Sequence, residues 1–398
     1  MAHPMVRLAD CCDIVSGATP KTNVAGYWGG EILWVTPKDI AKLDSPYLTD
    51  TPDKITASGF KNCSTQMLPV GAILVSSRAP IGHVAIAGKE MCTNQGFKSL
   101  VPGSSVHSGY LYHCMKFNAA RLAALGNGAT FKEVSKGIVE DFEIPLPADV
   151  NEQCRLAAIL DKADAIRRKR REALKLADEF LRAAYFDIQL SAKQQHITTP
   201  CQINDILADK PNAIRSGPFG SELLHSEFLN LGTPVLGIEN VVTNRFQWTE
   251  PRCITSEKYE GLRRFRVYPG DVIVTIMGTT GRTCVTPYDL PECISTKHLC
   301  VMTLNKAKAL PEYLWATLVF DPDIRRQTKQ AGKGAIMEGW NLSIVRDLHL
   351  DMPPIEDQAR FVRAMRQAEK ISHRLQQVLD ESENLFASLS HRAFQGTL

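Results

Sequence analysis

Two stretches of this sequence run for some five heptads without proline or glycine: residues 151–190 and residues 355–395. In the first, apolar residues recur at Leu156, Leu160, Ala163, Ile166, Leu174, Ala177, Leu181 and Ala184. In the second they fall at Phe361, Met365, Ala368, Ile371, Leu375, Leu379, Phe386 and Leu389. Steps of three and four sustained over that length are the pattern of helices that pack along a seam. Each stretch follows a proline-containing segment, Ile144-Pro145-Leu146-Pro147 in one case and Asp351-Met352-Pro353-Pro354 in the other. A helix of about 34 residues spans roughly 50 Å at 1.5 Å per residue. That is too long for an ordinary globular helix and suits a spacer. The expectation is an antiparallel pair of helices that sets the distance between two similar bodies.

An internal repeat supports the pairing. Ser16-Gly17 returns as Ser216-Gly217, and Trp34-Val35-Thr36-Pro37-Lys38-Asp39-Ile40 is matched in pattern by Val235-Leu236-Gly237-Ile238-Glu239-Asn240-Val241. Ile55-Thr56 recurs as Ile254-Thr255, Gly71 as Gly270, and Tyr110-Leu111-Tyr112 as Tyr313-Leu314-Trp315. Gly126-Asn127-Gly128 becomes Gly332-Lys333-Gly334, and Ile138-Val139 becomes Ile344-Val345. Many anchors sharing one slowly drifting offset mark a tandem duplication of a unit made of a globular part and a long helix. The domains expected are a globular part over 1–147, a long helix over 148–190, a linker over 191–200, a second globular part over 201–350 and a second long helix over 351–398.

Each globular part reads as mixed α/β with strands predominating. Val70 to Ser76 and Pro269 to Thr275 resemble glycine turns feeding β-branched strands. Tyr27-Trp28-Gly29-Gly30 and Ser216-Gly217-Pro218 read as turns. Tyr110 to Ala124 and Pro311 to Gln330 have helical spacing, with Pro311 placed to open its helix. Gly126-x-Gly128 and Gly332-x-Gly334 read as glycine loops before an Ile-Val strand, either close to a phosphate or simply mobile.

The chemistry of known catalysts is missing from the sequence. There is no Gly-x-x-x-x-Gly-Lys-Ser/Thr loop, no His-Glu-x-x-His, no Asp/Glu-x-Lys triplet of a metal-dependent nuclease, and no Asn/Asp-Pro-Pro-aromatic tetrad of an amino-methyltransferase. The eleven cysteines include no Cys-x-x-Cys, so free buried thiols are expected rather than a disulfide or zinc scaffold. The net charge of +3 permits nucleic-acid binding without indicating it. Residues 1–10 lack the apolar core of a signal peptide and no run reaches 18 apolar residues, so a cytoplasmic protein is expected.

Polar residues on the turns are the candidate DNA-reading groups. The first part offers Lys38, Arg78, Asn94, Gln95 and Lys98; the second offers Glu239, Asn240, Arg282, Lys297, His298 and Lys333. Arg and Lys pair with guanine edges, Asn and Gln with adenine, and either cation with phosphate. Singly each is an ordinary surface residue; together they differ between halves whose apolar framework agrees. The run Arg167-Arg168-Lys169-Arg170-Arg171 points all round its helix and reads as a solvated surface with acidic neighbours Asp161, Asp164 and Glu172, or as a contact for phosphate or an acidic partner.

With these residues laid out, the chain resembles the specificity subunit of type I restriction–modification systems. The resemblance covers nearly the whole length. It rests on the Ser-Gly turn with Trp34-Val35-Thr36-Pro37-Lys38-Asp39, on Gly71-Ala72-Ile73-Leu74 with Arg78-Ala79-Pro80-Ile81-Gly82, and on Ile144-Pro145-Leu146-Pro147 leading to Glu152-Gln153, echoed by Pro353-Pro354 and Asp357-Gln358. It implies two target-recognition domains, each reading half of an asymmetric bipartite sequence on double-stranded DNA, held apart by the paired helices. Roughly 50 Å is about one and a half turns of B-DNA. It implies further that two methyltransferase subunits carrying S-adenosylmethionine and a translocating endonuclease subunit perform the chemistry, leaving this chain no cofactor, no metal and no catalytic residue. A protein-assembly adaptor, or a specificity subunit serving a modification system without translocation, would share the same residues.

Overall fold

In the computed structural model the two periodic stretches are helices, Val150–Gln194 and Ile355–Gln395. The structure describes residues 3–78, 80–128, 132–331 and 339–398, with the side chains of 329–331 excepted. The chain divides into two compact units: Met1–Ala173 with Leu375–Leu398, and Leu174–Arg374. Each unit therefore takes one half of each long helix.

In the first unit the helix halves run antiparallel. Arg155 donates to the Leu398 carbonyl at 3.0 Å, and Arg170 donates to the Val378 carbonyl at 2.7 Å. In the second unit Tyr185 lies edge-on to Phe361, with ring centroids 6.3 Å apart, and Gln189 donates to the Asp351 carbonyl at 2.7 Å. The apolar seam is less regular than the spacing suggests. Leu156 and Leu160 are buried with Tyr110 and Leu111 in the first unit's core, and Leu181 is buried with Phe361, Met365 and Ala368 in the second's. Ile166 and Ile371, expected on the seam, are 49% and 55% exposed. In the first unit the seam turns polar beyond Ile166. Arg170 bonds Ser382 and Arg171 pairs with Glu383.

The duplication extends to the sheets. The first unit has a five-stranded sheet in the order Cys12–Ser16, Lys98–Pro102, Ile73–Val75, Val84–Ala87, Tyr47–Leu48. The second has the same order without the last strand: Ile214–Ser216, Leu299–Met302, Val272–Thr275, Thr283–Val285. A second sheet sets Trp28–Val35 between Lys54–Ile55 and Cys92–Thr93; its counterpart sets Thr233–Leu236 between Cys253–Ile254 and Cys293–Ser295, with Arg266–Val267 added. In both units the pairing of the central strand with Cys92–Thr93 or Cys293–Ser295 is parallel. A two-stranded pair closes each unit, Met5–Arg7 with Glu143–Pro145 and Thr199–Gln202 with His349–Met352.

One glutamine in each unit ties the globular part to its helix. Gln153 is fully buried; its carbonyl accepts from the His107 amide at 2.8 Å and its amide donates to the carbonyls of Ser105 and Pro147 at 2.9 and 2.8 Å. Gln358 repeats this with the Leu310 amide at 2.9 Å and the carbonyls of Lys308 and Pro353 at 3.2 and 2.9 Å. The Ser-Gly turn repeats for a steric reason. A Cβ on Gly17 would lie 2.0 Å from the Asn94 carbonyl oxygen, and one on Gly217 would lie 1.9 Å from that of Ser295.

Several local expectations change. Ile138-Val139 and Ile344-Val345 sit in short helices, Lys136–Glu140 and Leu342–Arg346, because Ser135 and Asn341 cap them by accepting from the Ile138 and Ile344 amides at 3.3 and 2.9 Å. Tyr27-Trp28-Gly29-Gly30 leads into a strand with a register shift between Trp28 and Ile32 rather than ending in a turn. Residues 191–200 are mostly ordered structure, since the helix runs to Gln194 and a strand begins at Thr199. All eleven cysteines are free; Cys154 is exposed, and Cys63 and Cys201 are half-buried.

Candidate nucleic-acid interface

In the first unit several turns converge at the ends of the parallel strand pair. The Asn94 amide donates to the Val35 carbonyl at 3.0 Å, and the Ala18 amide to the Thr93 carbonyl at 2.9 Å. The hairpin after Val75 joins them where the Ser77 amide donates to the Gly96 carbonyl at 2.7 Å. A Cβ on Gly96 would lie 3.1 Å from Pro37 Cγ and 3.6 Å from Arg78 Cγ, so three segments meet there. The structure thus gathers Lys38, Arg78, Asn94, Gln95 and Lys98.

Their roles differ. Lys38 is exposed on the short helix Pro37–Ala41, whose start is fixed by Asp39 accepting from the Thr36 amide at 2.7 Å and hydroxyl at 2.8 Å. The Asn94 side chain accepts from the Gly96 amide at 2.8 Å and so shapes its own turn. Gln95 is exposed and is bonded by the Thr19 hydroxyl. Lys98 is nearly buried, its ammonium 3.6 Å from Glu133, and Arg78 approaches the same carboxylate at 4.0 Å. Two cations facing one carboxylate leave a local excess of positive charge. Glu133 and Thr19 were missed in the sequence. Thr19 could have been found from its place three residues after Ser16, whereas Glu133 has no local signal.

The second unit builds the same junction from other residues. The Thr296 amide donates to the Leu236 carbonyl at 2.9 Å, and the Ile276 amide to the His298 carbonyl at 2.9 Å. These bonds superimpose Thr296 on Asn94, Lys297 on Gln95, His298 on Gly96 and Met277 on Arg78. The strand registers place Glu239 where Lys38 stands and Cys300 where Lys98 stands. The Val134 amide donates to the Ser77 carbonyl and the Trp340 amide to the Ile276 carbonyl, so Gly339 takes the place of Glu133. The whole Arg78–Lys98–Glu133 group is therefore replaced by uncharged residues.

What the second unit has instead is a cleft of about 420 Å³ lined by Pro218, His225, Glu239, Arg252, Lys297 and His298, among others. Glu239 pairs with Arg252 at 2.5 Å. Burial, with Lys297 beside it, holds the His298 imidazole below its ordinary range and favours its neutral form. Asn240 faces inward. It is buried, accepts from the Gly237 amide at 2.8 Å and donates to the Gln247 carbonyl at 2.9 Å, which is the capping role of Asp39 in the first unit. Arg282 is exposed on the hairpin tip and does not line the cleft. Lys333, with the Gly332-x-Gly334 loop, lies outside the described residues.

The arginine run keeps part of its surface reading, with an acidic neighbour pairing two of its cations, and adds bonds to the other long helix. Arg167 and Arg168 pair with the buried Asp164, Arg168 at 2.9 Å, and the Arg167 guanidinium lies 4.2 Å over the Phe386 ring. With Arg170 and Arg171 bonded to residues of the other long helix, four of the five cations are engaged within the unit; Lys169 is exposed. Among the described residues no group of three or more His, Cys, Asp or Glu is placed to hold a metal ion, and no helix is long and apolar enough to cross a membrane.

Residues 4–176 match the family described as the type I restriction modification DNA specificity domain. The chain is 36% identical over 189 residues to the type I restriction enzyme MjaIX specificity subunit of Methanocaldococcus jannaschii, covering 46% of this chain and 44% of that protein. It is 28% identical over 157 residues to the EcoR124I/EcoR124II specificity subunit of Escherichia coli, covering 38% of each. These alignments span less than half the length of either relative. To the EcoBI specificity subunit of Escherichia coli it is 21% identical over 99% of this chain and 80% of that protein. The fold matches the S subunit of a type I restriction-modification system from M. genitalium with a TM-score of 0.58 at 13% identity, over 98% of this chain and 96% of that one. Residues 4–176 thus match the type I restriction modification DNA specificity domain, and over part of its length the chain is similar to type I specificity subunits.

Proposed function

We propose that this chain is the DNA-reading subunit of a type I assembly, in which each unit reads one part of a bipartite, asymmetric target. One observation carries this reading. The same junction of turns is built twice on one hydrogen-bond framework, yet the side chains it presents differ in charge and in hydrogen-bonding pattern. Conserved geometry with divergent polar residues is what two readers of unlike base pairs require, because base edges are distinguished by donor and acceptor pattern.

The candidate contacts in the first unit are Lys38, Arg78, Gln95 and Lys98, with Asn94 shaping the turn. In the second they are Glu239, Lys297 and His298, with Arg282 as a flanking cation that would reach phosphate. Methyl transfer from S-adenosylmethionine belongs to methyltransferase subunits docked on this chain, and cleavage to an endonuclease–translocase subunit, all within the cytoplasm. The modest net charge of +3 fits a complex in which those partners neutralise much of the phosphate backbone.

Incubation with its methyltransferase subunits should protect a split sequence in a footprint and methylate it, while the purified chain transfers no methyl group. Methyl transfer by the chain alone, or an assembled complex that leaves no sequence-specific footprint, would overturn the reading.

A further inference from the structure

The geometry points to Gln95 and Lys297 as the paired specificity determinants of this chain, the first selecting adenine and the second guanine. This rests on the reading under Proposed function and assigns it to single side chains. The two residues occupy the second position of equivalent four-residue turns, 94–97 and 296–299, closed by the Phe97 amide on the Asn94 carbonyl at 3.3 Å and the Leu299 amide on the Thr296 carbonyl at 3.1 Å.

Each turn is fixed at every other position. Its first residue is bonded to the preceding strand end through Val35 or Leu236. Its third carbonyl is held by the hairpin amide of Ser77 or Ile276, at 2.7 and 2.9 Å. Its fourth side chain, Phe97 or Leu299, is fully buried. Only the second side chain is exposed in both turns. A rigid turn with one exposed side chain suits base reading, since the backbone is placed before DNA arrives and little ordering entropy is lost on binding; the Gln95 side-chain oxygen is itself held by the Thr19 hydroxyl.

The chemistry separates the two positions. Glutamine carries an acceptor and a donor on one planar group, matching adenine N6–H and N7. Lysine carries donors only, matching guanine O6 and N7. A neutral glutamine is a poor counterion for phosphate, so a purely electrostatic role would not explain its place in the repeat.

The test is selection of bound duplexes from a random library by the full chain with its co-purifying subunits, for the parent, Gln95→Lys and Lys297→Gln. Gln95→Lys should move one position of one sequence block from adenine to guanine by about tenfold to a hundredfold, leaving the other block unchanged. Lys297→Gln should make the opposite change in the other block. Both side chains are outside the cores, and unchanged melting curves exclude misfolding as the cause. Blocks that stay as in the parent, both blocks changing together, or a uniform loss of affinity without a change in preference would each overturn the assignment while leaving the two-unit reading intact. A parent complex that enriches no sequence would instead defeat the reading itself, and the assignment with it.

Discussion

Asp271 and Arg215 form a buried ion pair in the second unit, 1% and 5% exposed at the side chain. Asp271 also accepts from the Thr303 hydroxyl at 2.6 Å and the Tyr268 amide at 2.8 Å. Burial pushes its carboxyl above the ordinary range, with Arg215 opposing. The strand registers put Val15 and Ala72 at these two places in the first unit, so the duplication holds both a charged and an apolar solution of one site. Asp271→Ala should cost about 3–5 kcal/mol in denaturant unfolding, because it strands a buried guanidinium. The double variant Arg215→Val/Asp271→Ala should recover much of that loss. Asp164 behaves oppositely. Burial pushes its carboxyl up, but Lys116, Arg167 and Arg168 together outweigh it and hold it below its ordinary range. A carboxyl depressed in the folded state binds fewer protons there than in the unfolded chain. Its stabilisation is therefore complete above the unfolded value, about 3.9, and is lost as pH falls through the lower folded one. Asp164→Asn should cost about 1.5–3 kcal/mol near neutrality and flatten the acid limb of a melting-temperature profile.

At the scale of elements, the repeated glutamines and the Ser-Gly turns carry the joints. Gln153→Leu should destabilise the chain by about 2–3 kcal/mol, because it leaves buried backbone groups at Ser105, His107 and Pro147 without partners; Gln358→Leu should do the same in the second unit. Gly17→Ala forces a Cβ to within 2.0 Å of a backbone oxygen that cannot move without breaking the parallel strand pair, and folded yield should fall sharply. These constraints explain what was legible in the sequence. Gly17/Gly217 and Gln153/Gln358 recur because no other residue serves, so the repeat announces itself there. The long helices were legible from spacing, the second at both ends and the first to within four residues. The sheet order was not, since pairing Ser16 with Lys98 depends on contacts 82 residues apart. Ile138-Val139 misled because β-branched residues favour strands until a cap such as Ser135 starts a helix. The arginine run was legible where Arg167 and Arg168 pair with Asp164 nearby, but not where Arg170 and Arg171 bond Val378, Ser382 and Glu383 on the other long helix. Within the candidate interface the turns could be located but not their inner and outer faces, so Asn240 looked like a reader although it caps its own turn.

The whole molecule is two versions of one scaffold, and its behaviour should divide accordingly. Replacing Arg78 and Lys98 together by Met and Cys, the residues at the equivalent places in the second unit, should alter the sequence read by the first unit only. A change in both parts of the target would mean that the units do not read independently. The central claim is that the duplicated junctions consult different base pairs. It is tested most directly by mapping methylated positions in DNA from cells that carry the chain with its partner subunits. The account predicts one asymmetric target made of two short, unlike words separated by unread bases. A single continuous word, or the same word twice, would contradict it.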